Sequence, residues 1–155
     1  MEDYYNATAS SYDELHEEEQ RKKLELVKKH WKINGLILDI GCGTNIANDY
    51  FKNIIGIDKS IKMFKKGTNV CCKAEELPFK DRAFDGILCL TAMHNFDDFN
   101  RAIKEMKRVL KGNNVSISVL KKAKNFNKIK NAITKNFNVR AIDEEKDVIF
   151  IYQRG

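Results

Sequence analysis

Two rhythms of apolar and polar positions run along this chain. Dense apolar runs of strand length occur at "LILDIG" (36–41), "IIGID" (54–58), "VCCKA" (70–74) and "FDGILCL" (84–90). Their branched residues, without a polar residue at every second place, predict strands covered on both faces. Apolar residues at three- and four-residue spacing predict helices. Phe99, Ile103, Met106 and Leu110 form one stripe, with Asp97 or Asp98 placed to cap its start and Gly112 beyond its end. Phe126, Ile129, Ile133 and Phe137 form a second, and in both the lysines take the opposite face. Leu24, Val27 and Trp31 stripe a helix of roughly fifteen residues ahead of the first strand, with Ser11 or Asp13 before it. "NVSISVL" (114–120) is a fifth strand, and "FNVRAIDEEKDVIFIYQR" reads as two more, 137–142 and 147–153. The turn between that last pair is too short for a crossover, so the two are antiparallel. The alternation predicts an α/β, doubly wound, mostly parallel seven-stranded sheet with one antiparallel strand, in three layers.

Length adds that 155 residues bury one core and not two, so residues 1–155 are expected to form a single domain. Hydrophobic residues at 43% and charged residues at 32% place it among globular chains, with no apolar run of bilayer length. The N-terminus "MEDYYNATAS" has no apolar core of a signal peptide, which points to the cytoplasm. Cys42, Cys71, Cys72 and Cys89 lack metal-ligand spacing and read as reduced thiols, consistent with that compartment. Charge is unevenly placed: residues 1–30 carry five Lys/Arg against eight Asp/Glu (−3), and residues 101–140 carry twelve against Glu105 alone (+11). The second half therefore favours an anionic partner, RNA or a phosphorylated metabolite, or else presents a lysine-rich solvated surface.

Candidate chemistry centres on "LILDIGCGTN" (36–45). An aspartate closing a run that should be buried is costly unless a cation or donors meet it. Gly41 and Gly43 permit a tight turn and close approach of a ligand. A dinucleotide site would want a third glycine where Ile46 stands, and a pyrophosphate would be repelled by Asp39. The helix after the turn, "IANDYF", is also short. A ligand with an amine and a ribose but no phosphate suits the residues better. Asp58 ends the second strand, where a carboxylate can accept from both ribose hydroxyls. Together these point to an adenosyl amino acid.

With "IIGIDKSIKMF" and "AEELPFKDRAFDGILCLTAMHNF", this stretch resembles the class I S-adenosylmethionine-dependent methyltransferases, of the small Rossmann-like core shared by ubiquinone/menaquinone and generic small-molecule methyltransferases. The resemblance is close over residues 35–112 and extends in outline to the C-terminus. It implies that Asp39 and the turn Gly41, Cys42, Gly43 hold the methionine end of S-adenosylmethionine, and that Asp58, with Lys59 beside it, holds the ribose. Ala74 and Glu75 would meet the adenine edge, and the backbone of Leu90 and Thr91 would approach the amino group. "YYNATASSYDEL" (4–15) resembles the family's segment that folds over the cofactor, so Tyr5 or Tyr12 could offer a ring face to the sulfonium. Residues 1–34 would then be lid and helix, and residues 35–155 the core. Two positions depart from the pattern. Asn45 stands where the family usually has Gly, and tolerates the left-handed region. Lys73 stands where an acidic residue usually accepts from the adenine amine, which an ammonium cannot do.

The resemblance implies in-line methyl transfer yielding S-adenosylhomocysteine, without a metal, in which the protein contributes alignment and electrostatics. His94, in "LTAMHNF", is the one titratable group in the acceptor region, and acts as base or hydrogen-bonding group or else caps the next helix or packs in the cleft. His16 and His30 read as solvated. The Asn/Asp-Pro-Pro-aromatic motif of amino-group methyltransferases is missing there. The acceptor is expected to be a small metabolite or RNA, with no DNA and no membrane. A small activator protein could pair along the edge of strand three at Val70, Cys71 and Cys72. A non-catalytic or partner-dependent S-adenosylmethionine-binding module is the alternative, and a nicotinamide-dependent reductase ranks below both.

Overall fold

The structure, a computed structural model, describes residues 2–31 and 33–154, with side chains from residue 14 on. Strands β1 (Ile37–Ile40), β2 (Ile54–Asp58), β3 (Thr68–Cys71), β4 (Phe84–Leu90), β5 (Leu110–Leu120), β6 (Val139–Glu144) and β7 (Asp147–Tyr152) form one seven-stranded sheet. Its order is β3-β2-β1-β4-β5-β7-β6, with β7 alone antiparallel to its neighbours. This is the doubly wound sheet that the apolar runs predict. Strand order reverses between β1 and β4, where such sheets open a crevice beyond the strand ends.

Because side chains alternate along a strand, each buried strand feeds two cores. Ile37, Leu88, Ile149 and Ile151 pack on one face beneath Leu24, Val27 and Trp31 of helix α1 (Glu2–His30). Leu38, Ile87, Cys89 and Phe150 pack on the other with Ile103 and Met106 of α2 (Phe99–Val109) and Ile129 and Ile133 of α3 (Phe126–Asn136). The result is three layers. Asp98 caps α2 by accepting from the Arg101 N–H at 3.1 Å, one of the two caps expected.

Several boundaries differ from the sequence expectation. Helix α1 runs for 29 residues, not roughly fifteen, so Ser11 and Asp13 lie inside it. With no Gly or Pro before Gly35, nothing in that stretch forces a break. Gly112 does not end α2: the chain turns extended at Leu110, which pairs with Phe84, and Gly112 lies within β5. β3 begins two residues before the expected run, leaving Cys72 to Ala74 in the loop that follows.

The connections on the α1 side are very short. Single 3-10 turns, Ile46–Asp49 and Ile61–Met63, follow β1 and β2. No helix joins β3 to β4, and Arg108 pins that loop instead. Its guanidinium donates to the carbonyls of Leu77 (2.9 Å) and Phe79 (2.8 Å) and pairs with Glu105 and Asp81. Glu105 in turn accepts from the Leu77 N–H at 2.8 Å. Short connections leave the ends of β1 and β2 open beneath α1. No helix among the described residues is long and apolar enough to cross a membrane.

Candidate active site

The turn after β1 places Gly41 (φ +71°), Gly43 (φ +52°) and Asn45 (φ +66°) in the left-handed region. A Cβ on Gly41 would lie 2.6 Å from that of Ala92, so the position needs glycine twice over. Asn45 is fully buried, and its side chain offsets the backbone cost. Its amide donates to Asn69 Oδ1 at 2.6 Å, while its Oδ1 accepts from the Lys65 N–H at 3.2 Å.

Two carboxylates flank this turn. Asp58 Oδ2 accepts from the Gly43 N–H and Oδ1 from the Ser60 N–H, both at 3.0 Å. One lone pair on each oxygen stays available in a fixed direction. Asp39 is 6% exposed, and its carboxylate has no partner among the described residues. Burial, and then the charge of Asp58, push it up to about 7 from an ordinary 3.8.

Two adjoining clefts open there. One, of about 290 Å³, is bounded by Gly41, Gly43, Asp58, Lys59, Ala74, Glu75, Leu90 and Thr91. The other, of about 380 Å³, reaches Asp39 and Cys42 and shares Gly41, Gly43 and Leu90. Every expected cofactor-side residue whose side chain is described therefore lines one cleft or the other. Tyr5 and Tyr12 lie outside the described side chains, although the backbone there is helical.

Comparison with known proteins agrees with this geometry. The family described as "Methyltransferase domain" matches residues 38–118. An uncharacterised protein of Methanocaldococcus jannaschii is 32% identical over 94% of this chain and 67% of its own length. The Bos taurus protein named probable tRNA methyltransferase 9B is 31% identical over 71% of this chain and 26% of its own. Among solved structures, a chain from the complex between the Haloferax volcanii Trm112 methyltransferase activator and a methyltransferase superposes with a TM-score of 0.69, at 12% identity, over 94% of this chain and 96% of that one. At that identity the likeness is one of fold. The chain belongs to the class I S-adenosylmethionine-dependent methyltransferases. It spans 67%, 60% and 45% of three M. jannaschii relatives.

The residues of this methyltransferase suit the cofactor its family uses. A buried, unpaired carboxylate calls for a cation, which the amino group of an adenosyl amino acid carries. Asp58 presents oriented acceptors to a diol, and Gly41 keeps the floor free of a side chain. Lys73 is exposed on the wall of the smaller cleft, beside Ala74 and Glu75. The Glu75 carboxylate already accepts from the Asp98 N–H at 3.1 Å. Burial, reinforced by Asp39 and Asp58, pushes the Cys42 thiol up, which disfavours the thiolate that a nucleophile needs.

Helix α1 supplies residues that sequence reasoning did not assign to the site. His16 and Gln20 line both clefts; His16 is exposed, as its sequence context suggests, but stands at their mouth. The stripe Leu24, Val27, Trp31 continues backward at four-residue steps to Gln20 and His16. A core-facing line that turns polar was the available signal.

His94 stands apart from these clefts, in a third of about 310 Å³ with Leu15, Lys23, Thr91, Leu120 and Asp147. Its Nδ1 is buried without a hydrogen bond among the described residues. Thr91 belongs to both the smaller cofactor-side cleft and this one. It is β-branched yet sits at φ +54°, held by a polar cluster. Lys23 Nζ donates to Thr91 Oγ1 (2.9 Å) and pairs with Asp147 (3.2 Å), and Thr91 Oγ1 donates to Asp147 (2.7 Å). The Thr91 N–H donates to Ser118 Oγ at 2.8 Å. Lys23 and Asp147 are both buried, so the cluster ties α1 to the ends of β4 and β5 and the start of β7.

Proposed function

We propose that this chain catalyses methyl transfer from S-adenosylmethionine to an acceptor entering beside Thr91 and His94. The observation that carries the reading is Asp39, a buried carboxylate left unpaired among the described residues at the foot of a glycine-lined cleft. When bound, the cofactor supplies an electrophilic methyl group on a sulfonium. Asp39 holds the amino group, Asp58 orients the ribose hydroxyls, and Ala74 and Glu75 border the adenine. Leu90 and Thr91 line the cleft between them. His94, with a buried ring nitrogen lacking a hydrogen bond among the described residues, takes a hydrogen bond or proton from the acceptor. The acceptor is RNA or a small metabolite.

A small activator protein fits the same reading. β3 is an edge strand, with Thr68 and Cys71 exposed and Asn69 and Val70 half-buried, and an uncovered edge invites strand pairing. The Haloferax volcanii neighbour was solved with such an activator. We place the protein in the cytoplasm, where Cys42, Cys71, Cys72 and Cys89, all free here, stay reduced.

Calorimetric titration with S-adenosylmethionine, S-adenosylhomocysteine and NAD tests the reading. The two adenosyl ligands are expected to bind and NAD not. Asp58→Ala, which loses two hydrogen bonds to a charged group, should weaken both adenosyl ligands about a hundredfold. Binding of NAD alone would end the methyltransferase reading. Binding of either adenosyl ligand only after an activator is added would support the partner-dependent form.

A further inference from the structure

Helices α2 and α3 lie side by side on the sheet face opposite α1, packed through Ile103, Met106, Ile129 and Ile133. Lys107 Nζ reaches across to Asn136 Oδ1 at 3.5 Å. The only carboxylate between residues 101 and 140 is Glu105, held by Arg108 at 2.8 Å. Lys104 and Lys107 on α2, and Lys124, Lys128 and Lys135 before and along α3, are exposed. None of these five pairs with a carboxylate among the described residues. Lys104 and Lys107 stand three apart on α2, and Lys128 and Lys135 seven apart on α3, so each pair shares one helix face, with Lys124 just ahead of α3. Helix α1 carries eight Asp/Glu against five Lys/Arg, so the positive excess of the chain lies on the α2–α3 side of the sheet. Gathering like charges on one layer disfavours the compact state, and a polyanion would relieve it.

We propose that the α2–α3 face docks the phosphate backbone of RNA and so delivers a base to the clefts. Because α2 follows β4 and α3 follows β5, both helices begin at the strand ends where those clefts open; Lys104 and Lys128 are the nearer lysines of each helix, and Lys107 and Lys135 lie farther along. RNA loops offer unstacked bases that enter pockets of this size, whereas duplex DNA must first be unstacked at a cost of a few kcal/mol. An anionic membrane is a poorer match, since the large apolar residues exposed among the described ones, Leu15, Ile61 and Met63, all lie outside this face. The role of RNA as methyl acceptor rests on the methyl-transfer reading; the docking does not.

The test is fluorescence anisotropy of a labelled RNA stem-loop of mixed sequence, with S-adenosylhomocysteine calorimetry in parallel. Four phosphate contacts give a logarithmic salt slope of about −3, so affinity should fall about sixtyfold as salt rises from about 50 to about 200 mM. The combined variant Lys104→Gln, Lys107→Gln, Lys128→Gln, Lys135→Gln should bind RNA at least about tenfold more weakly at low salt, with unchanged S-adenosylhomocysteine affinity. No RNA binding by the unaltered protein at low salt, or equal binding by the variant, overturns the proposal whatever the nucleoside does. Equal or tighter binding of the same-sequence DNA hairpin, or preferential capture by phosphatidylserine vesicles, overturns RNA as the occupant. Failure to bind S-adenosylhomocysteine while RNA binding behaves as stated removes the methyl-transfer reading and leaves the docking face supported.

Discussion

The start of β7 and the end of β1 each bury an aspartate, and the two are furnished in opposite ways. Asp147, 1% exposed, has the Lys23 ammonium and the Thr91 hydroxyl against it. Asp39, 6% exposed, has neither a cation nor a donor among the described residues, and the nearby charge of Asp58 raises it further. A chain that can bring a lysine to one buried carboxylate and leaves the other without one has separated two tasks. Asp147 fastens the roof helix to the sheet. Asp39 stays a buried carboxylate without a cation among the described residues, and under the proposed reading a cationic ligand supplies one, at the expense of stability without it.

The comparison is broken most severely by removing the cation at Asp147. Lys23→Met leaves a buried charge uncompensated and should lower the unfolding free energy by about 3–5 kcal/mol in denaturant titration. Adding Asp147→Leu should restore most of that loss, because an apolar pair needs no desolvation. If Lys23→Met alone is neutral, the cluster does not fasten α1.

Asp39→Asn should act with the opposite sign. A carboxyl raised from 3.8 to about 7 favours its protonated form in the fold. Stability is therefore largest below the unfolded value and is lost as pH rises through the folded one. At about 1.4 kcal/mol per tenfold change in proton affinity, that loss is about 4 kcal/mol at most. The variant should be more stable than the parent above pH 7, less distinguishable near pH 4, and about thirtyfold weaker for S-adenosylhomocysteine at pH 8. A variant less stable at pH 8 would mean that Asp39 is compensated after all.

A gentler form of the same contrast is the pH dependence of binding. The ligand's ammonium selects the ionised carboxylate, so affinity is full above about 7 and should fall about tenfold between pH 8 and pH 6. Asp39→Asn should flatten this profile. The smallest effect is expected at the far end of the cleft, where Lys73→Asp restores an acceptor for the adenine amine and should tighten binding a few-fold, about 1 kcal/mol. No tightening would mean that adenine is met by backbone alone.

Much of this was legible in the residues. Seven apolar runs foretold seven strands, because a strand covered on both faces must be apolar almost throughout. Asp39, Gly41, Gly43 and Asp58 were readable as a candidate site because glycines at a strand end allow a tight turn and a carboxylate closing a buried run is costly without a partner; the structure brings all four to the same pair of clefts. Other features were not legible. Gly112 suggested a helix end, yet β4 recruits the chain as strand from Leu110, a pairing with Phe84 distant in sequence. Nothing local to the charged stretch around Lys23 marks it for burial, which depends on Asp147, arriving on β7 from far along the chain.

The sequence by itself determined the order of elements, the sheet class and the identity of the turn, since these follow from local periodicity and from residues whose cost is local. Tertiary structure decided which carboxylate is compensated, which face of α1 roofs the clefts, and that exposed lysines of α2 and α3 share the sheet face opposite α1. Those outcomes depend on distances between segments far apart in the chain, and burial and pairing energies exist only once the sheet has brought them together.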